Sequence, residues 1–207
     1  MKLTLTVLLR ALAMGIAFAP VVQGGVVISN LGETFHTSAT VDNNFSEAQS
    51  FLAGSTVTLN NVTLSLVTTQ FVNSSGFAIS LRDDSAGSPA TSTLAGLTLI
   101  AGAGGSLRWD APANTTLTSG LTYWIVATAS APLVDWKATS SVNQTGTAGW
   151  AIGDSHKERA FGGAWGIVSD SMFLSVDATA VPEPGSVAWV SGVGLLGFAG
   201  WRRWRIR

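Results

Sequence analysis

The 207-residue chain has no cysteine, one tyrosine, two histidines and only 11% charged residues. Without thiols there is no disulfide and no Cys-ligated zinc or iron–sulfur centre. Positive charge is scarce in the middle of the chain. From Gly25 to Ala180 the only basic residues are Arg82, Arg108, Lys137, Lys157 and Arg159, against eleven acidic ones, a net of −6. A nucleic-acid surface needs basic groups to displace phosphate counterions, so nucleic acid is not expected as a partner.

The common catalytic spacings are also missing. His36 and His156 stand in no H-x-H or H-E-x-x-H arrangement, and there is neither a G-x-S-x-G elbow nor a GxxxxGK[ST] loop. Gly102-Ala103-Gly104-Gly105 has no βαβ setting and reads as a turn. Asp42-Asn43-Asn44 and Asp83-Asp84 put oxygen ligands on loops, yet neither follows an EF-hand pattern, and they read as solvated turn residues. The expectation is a non-enzymatic chain with no cofactor, no metal and no catalytic residue. A secreted hydrolase stays open as an alternative, because a triad can assemble from distant positions. It would need His36 or His156 beside a serine and a carboxylate. Gly153-Asp154-Ser155-His156 itself reads as a polar loop.

Helical periodicity is absent between the ends of the chain, and alternation with period two takes its place. Phe77, Ile79 and Leu81 alternate with Ala78, Ser80 and Arg82; Leu107 and Trp109 alternate with Ser106, Arg108 and Asp110. Met172, Leu174, Val176 and Ala178 alternate with Phe173, Ser175 and Asp177. Each run predicts a strand with one dry face. Val57 and Leu59 are out of phase with Val62, Leu64 and Leu66, which predicts a bulge or turn at Asn60-Asn61. Leu121 to Ala129 is apolar on both faces and predicts a covered central strand. Asp83 to Pro89 carries turn residues between two strands. Together these predict an all-β fold: one antiparallel β-sandwich, jelly-roll-like, over residues 25–180.

Five tryptophans lie in this body. Trp109 shares the phase of Leu107 and Trp124 sits in the doubly apolar strand, so both are expected in the core. Trp150 and Trp165 lie among glycines and are the candidates for sugar stacking. Asn44, Asn61, Asn73, Asn114 and Asn143 each head an N-x-[ST] triplet, a pattern compatible with glycosylation.

The ends have a different character. Residues 1–24 join Lys2 to an apolar stretch and small residues, the layout of a secretory signal peptide read by the Sec translocon. Residues 181–207 begin Val181-Pro182-Glu183-Pro184. An uncharged glycine-rich stretch follows at 186–201, then Trp201, Arg202, Arg203, Arg205 and Arg207. Sixteen helical residues span about 24 Å at ~1.5 Å each, short for a bilayer core of roughly 30 Å. Interfacial tryptophan and snorkelling arginine extend the reach and hold the cluster on the cytoplasmic side.

That order of motif, apolar helix and arginine cluster resembles the PEP-CTERM sorting signal of Gram-negative bacteria. The resemblance implies an exosortase that recognises Val181 to Pro184 and removes the tail. It implies a precursor held in the inner membrane, then a surface or extracellular product associated with exopolysaccharide and the biofilm matrix. A tail that acts as a permanent anchor is the alternative. Within the body, Ala48-Gln49-Ser50-Phe51, Val62 to Leu66, Phe77 to Pro89, Leu121 to Val126 and Gly149 to Asp154 follow in an order similar to the choice-of-anchor R domain. This second resemblance implies an extracellular β module, with a structural or adhesive role or, alternatively, carbohydrate binding.

Overall fold

The computed structural model describes residues 24–67, 76–103, 105–130 and 134–181. The expected signal peptide at 1–24 (but for Gly24) and the apolar helix at 186–201 lie outside them, as do Pro182, Glu183, Pro184, Trp201 and the four tail arginines. Among the described residues no helix is long and apolar enough to cross a membrane.

The described chain is all-β and antiparallel. Its strands are β1 (Gly25–Ser29), β2 (Thr37–Val41), β3 (Phe45–Leu52), β4 (Val57–Ser65), β5 (Ala78–Asp83), β6 (Ala95–Ala103), β7 (Ser106–Asp110) and β8 (Thr116–Leu117). They continue with β9 (Thr122–Thr128), β10 (Val134–Thr139), β11 (Thr145–Gly146), β12 (Ala151–Ala160), β13 (Gly166–Val168), β14 (Ser171–Met172) and β15 (Leu174–Ala180). One long sheet runs β11-β1-β15-β4-β7-β6-β5-β9-β3-β12-β13, with β8 beside β4. A smaller sheet runs β14-β10-β2.

The long sheet curls through β6. The first part of β6 pairs with β5 at Leu97 opposite Ile79, and the later part pairs with β7 at Leu99 opposite Trp109, with a bulge between Leu99 and Ala101. A bulge adds local twist and bends the strand. The two halves therefore turn their apolar rows inward onto one core. Leu59, Val62, Leu64, Trp109 and Val176 from one half join Phe51, Ile79, Leu81 and Ile125 from the other. Val41, Val134, Trp136 and Met172 of the smaller sheet enter the same core. Each such side chain taken from water stabilises the fold by about 1.5–3 kcal/mol.

The period-two readings hold in β5 and β7, where Ile79, Leu81, Leu107 and Trp109 are buried. The phase change in β4 is a bulge at Asn60: Asp177 of β15 pairs with Asn61, and the next residue, Ala178, pairs with Leu59. β9 is covered on both faces between β5 and β3.

Three readings are corrected. Gly153 to His156 is not a loop: it lies inside β12, with a bulge between Ile152 and His156 against β3. Met172 is not the start of β15 but belongs to β14 in the smaller sheet, and Phe173, expected on a wetter face, is buried between the two. Trp150 is no surface residue. It is 6% exposed and its ring stacks on Phe51 at 6.4 Å and 8°.

Candidate functional site

Two features stand apart from ordinary packing: a basic, aromatic face on the outside of the sheet, and a polar line buried inside it.

The outer face belongs to β5, β9, β3 and β12. Cross-strand partners project to the same side, so the pairs Arg82–Trp124, Trp124–Ser50, Ser80–Val126, Val126–Ala48, Ala48–Lys157 and Ser46–Arg159 define it. The middle of this surface is small: Ser46, Ala48 and Ser50 on β3, and Ser80 on β5. Small residues there leave room for long side chains from the flanking strands to lie across the sheet. Ala48, Trp124 and Val126 form an apolar floor, with half-buried Trp165 packed against it. The Arg159 guanidinium sits 4.8 Å from the Trp165 ring centroid, within cation–π range.

Arg82 is fixed from the other side. Its Nη1 donates to the carbonyl oxygens of Ala90 at 3.2 Å and Thr91 at 3.5 Å, and its Nε to Ser80 Oγ at 3.4 Å. Trp124 Nε1 donates to Asp84 Oδ1 at 2.8 Å, while Asp84 Oδ2 accepts from the Gly87 N–H at 3.1 Å. Burial first, then the positive charge of Arg159, pushes Arg82 below its ordinary value. Among the described residues neither Arg82 nor Arg159 forms an ion pair with a carboxylate. The Nε of Arg159 is closed off from solvent with no hydrogen-bond acceptor.

The inward side of β3 carries Glu47 and Gln49 among apolar neighbours, both fully buried. Gln49 Oε1 accepts from the Met172 N–H at 2.7 Å, and its Nε2 donates to the Gly153 carbonyl at 2.9 Å. Asn30 does the matching work one step along: its Oδ1 accepts from the Leu174 N–H at 2.7 Å and its Nδ2 donates to the Met172 carbonyl at 3.0 Å. The two amides satisfy the backbone where the chain leaves β14 for β15, and the bulged Gly153 carbonyl as well. Glu47 meets His156 at 3.3 Å, and His156 Nδ1 meets the Asp170 carbonyl at 2.6 Å.

The expected site residues fall as follows. Trp165 lies on the outer face. Trp150 lies in the core, and with no open ring face it leaves the set of stacking candidates. His36 is exposed. His156 does stand beside a carboxylate, but no serine hydroxyl bonds it among the described residues. The Asp42 carboxylate caps the N–H groups of Asn44 and Phe45 at 2.6 and 2.8 Å, and the described residues hold no cluster of three metal-ligating side chains. Arg82, Lys157 and Arg159 were not singled out from the sequence. Arg82 alone has an outward phase in the sequence reading, and the convergence of the three on one face depends on strands paired across 42 (Arg82 and Trp124) to 113 (Ser46 and Arg159) residues.

The last described strand ends at Ala180, and Val181 beyond it is exposed. From Ala180 onward a family model matches: the PEP-CTERM protein-sorting motif, over residues 180–203. The chain carries an exosortase sorting signal. The PEP-CTERM segment marks an exported protein, processed by an exosortase from a membrane-anchored precursor and sorted to the surface. No curated protein matches the chain.

Proposed function

We propose that this chain is a non-catalytic protein of the cell surface or extracellular matrix, with a structural or adhesive role linked to exopolysaccharide. On this reading the Sec translocon exports it, a body of the choice-of-anchor R type forms a jelly-roll sandwich outside the membrane, and the apolar tail helix holds the precursor until cleavage. One observation carries it: the PEP-CTERM match begins at the residue where β15 ends. Sorting signal and folded body thus meet without an intervening domain. The experiment is fractionation of cells with and without their exosortase, with mass spectrometry of the product. Loss of the residues after Pro184 in the surface fraction is expected. An intact Arg207 there would favour the permanent anchor instead.

Carbohydrate binding is the second reading, favoured by Trp165 and the basic groups beside it. A secreted hydrolase has less support. The His156 ring is 2% exposed and both its nitrogens face partners inside the sheet, whereas a general base must reach a bound substrate.

A further inference from the structure

We propose that the outer face of β5, β9, β3 and β12 binds a carboxylate-bearing sugar polymer, with Arg82 and Arg159 receiving the carboxylates and Trp165 flanking the sugar rings. The inference rests on the carbohydrate-binding reading and names the class of sugar.

Charge placement is the first argument. The body carries −6, yet three of its five basic residues, Arg82, Lys157 and Arg159, share this face. Like charges brought together in a partly dry setting disfavour one another. A folded protein usually offsets this with an acid, and here the nearby carboxylate, Asp84, is engaged by Trp124 and Gly87 instead.

The second argument is unmet hydrogen bonding. The Arg159 Nε has no acceptor, which leaves this guanidinium short of the hydrogen bonding a buried donor requires. A guanidinium is a planar fork matched to a carboxylate, and stacking on Trp165 holds the Arg159 plane in place. A carboxylate supplied from outside would offset the charge and accept from the outer N–H groups of the guanidinium, Nε itself being closed off from solvent.

The third concerns what surrounds the cations. Ser46, Ser50 and Ser80 offer hydroxyls along the face. Its exposed large aliphatic, Ile167, stands on the edge strand opposite Lys157. Protein interfaces centre on large anchors that become buried on binding, whereas the large apolar residues in the middle of this face, Trp124 and Val126, are already buried and the half-buried groups beside them are serines. That composition suits a sugar chain better than an acidic protein.

The test is affinity electrophoresis of the full-length protein in mild detergent, through gels containing polygalacturonate, neutral dextran or polyglutamate. Polygalacturonate should retard the protein at low salt, with retardation fading as sodium chloride rises. The double variant Arg82→Gln/Arg159→Gln should bind at least tenfold more weakly. Arg108→Gln should match the parent, since Arg108 is exposed on β7 and paired with Asp110 at 2.8 Å. Should the double variant melt early, Lys157→Gln alone serves, with a two- to threefold loss expected. Retardation by dextran but not polygalacturonate would overturn the inference and leave the carbohydrate-binding reading standing. Retardation by neither sugar overturns both. Equal retardation by polyglutamate would assign the face to an acidic protein.

Discussion

Nε2 of His156 lies 3.3 Å from Oε2 of Glu47, and both side chains are shut away from water. Nδ1 of His156 donates its hydrogen to the Asp170 carbonyl at 2.6 Å, which leaves Nε2 as a lone pair facing the carboxyl. Burial, and secondarily the charge of Glu158, pushes the Glu47 carboxyl up to about 9. Burial holds His156 below its ordinary value. At neutral pH the two form a neutral acid–imidazole pair rather than an ion pair.

The pair sets a pH dependence of stability. Folded Glu47 keeps its proton where the unfolded chain releases it, so its contribution is complete below about 4.5 and is lost as pH rises through about 9. His156 acts oppositely: its contribution is present above 6.5 and fades as pH falls through its lower folded value. Between about 6.5 and 9 only the Glu47 slope remains, at most ~1.4 kcal/mol per pH unit for one proton. Thermal unfolding should show the midpoint falling across that window, and Glu47→Gln should flatten the fall. An unchanged slope in the variant would mean the carboxyl is ionised inside the fold.

Asn60 is the extra residue of the β4 bulge, and its side chain reaches across to β15. Its Nδ2 donates to Asp177 Oδ1 at 2.6 Å and to Thr179 Oγ1 at 2.9 Å, while the Thr179 hydroxyl donates to Asn60 Oδ1 at 3.1 Å. Asn60→Ala should destabilise by about 1–3 kcal/mol, read as a lower urea midpoint with unchanged denaturant slope. A change under half that size would show that the bulge is held by its backbone alone.

This bulge also shows what the sequence made legible. Inward and outward rows follow from alternation, so Asn60 betrayed itself as soon as Val57 and Leu59 fell out of phase with Val62 and Leu64. Alternation places Glu47 on one row with Phe45 and Gln49, but a half-polar row does not declare its inward sense, which comes from the structure. The partner of Glu47 was no more legible, because His156 is brought beside it by a β3–β12 pairing with a bulge in it. Trp150 misled for a related reason. Glycine beside a tryptophan reads as a loop, but Gly149 and Gly54 are small so that two backbones can pass closely, and that contact is what seats Trp150 over Phe51.

The Gly54 contact yields a direct check. A Cβ there would lie 2.6 Å from the Gly149 carbonyl carbon and 2.8 Å from the Trp150 nitrogen, both backbone atoms that have little freedom to yield. Gly54→Ala should cost about 1–3 kcal/mol through overpacking. Gly96→Ala in β6 meets nothing within 4 Å and should be neutral or slightly stabilising. Comparable losses at both positions would remove close approach as the explanation.

The division between folding and sorting is sharpest at Ala180. That residue pairs with Val57 and completes the β15–β4 ladder, and the next residue is already exposed. A chain lacking residues 182–207 should therefore keep its unfolding free energy within about 0.5 kcal/mol, the usual range for changes away from packed features. Its destination should change nonetheless. Full-length protein should accumulate uncleaved in membranes when the exosortase is absent, whereas the truncated chain should pass to the medium whether or not the enzyme is present. If truncation unfolds the body, residues beyond Ala180 belong to the fold. If truncated and full-length chains both wait on the exosortase, recognition lies within the strands and not in the segment that starts at Val181.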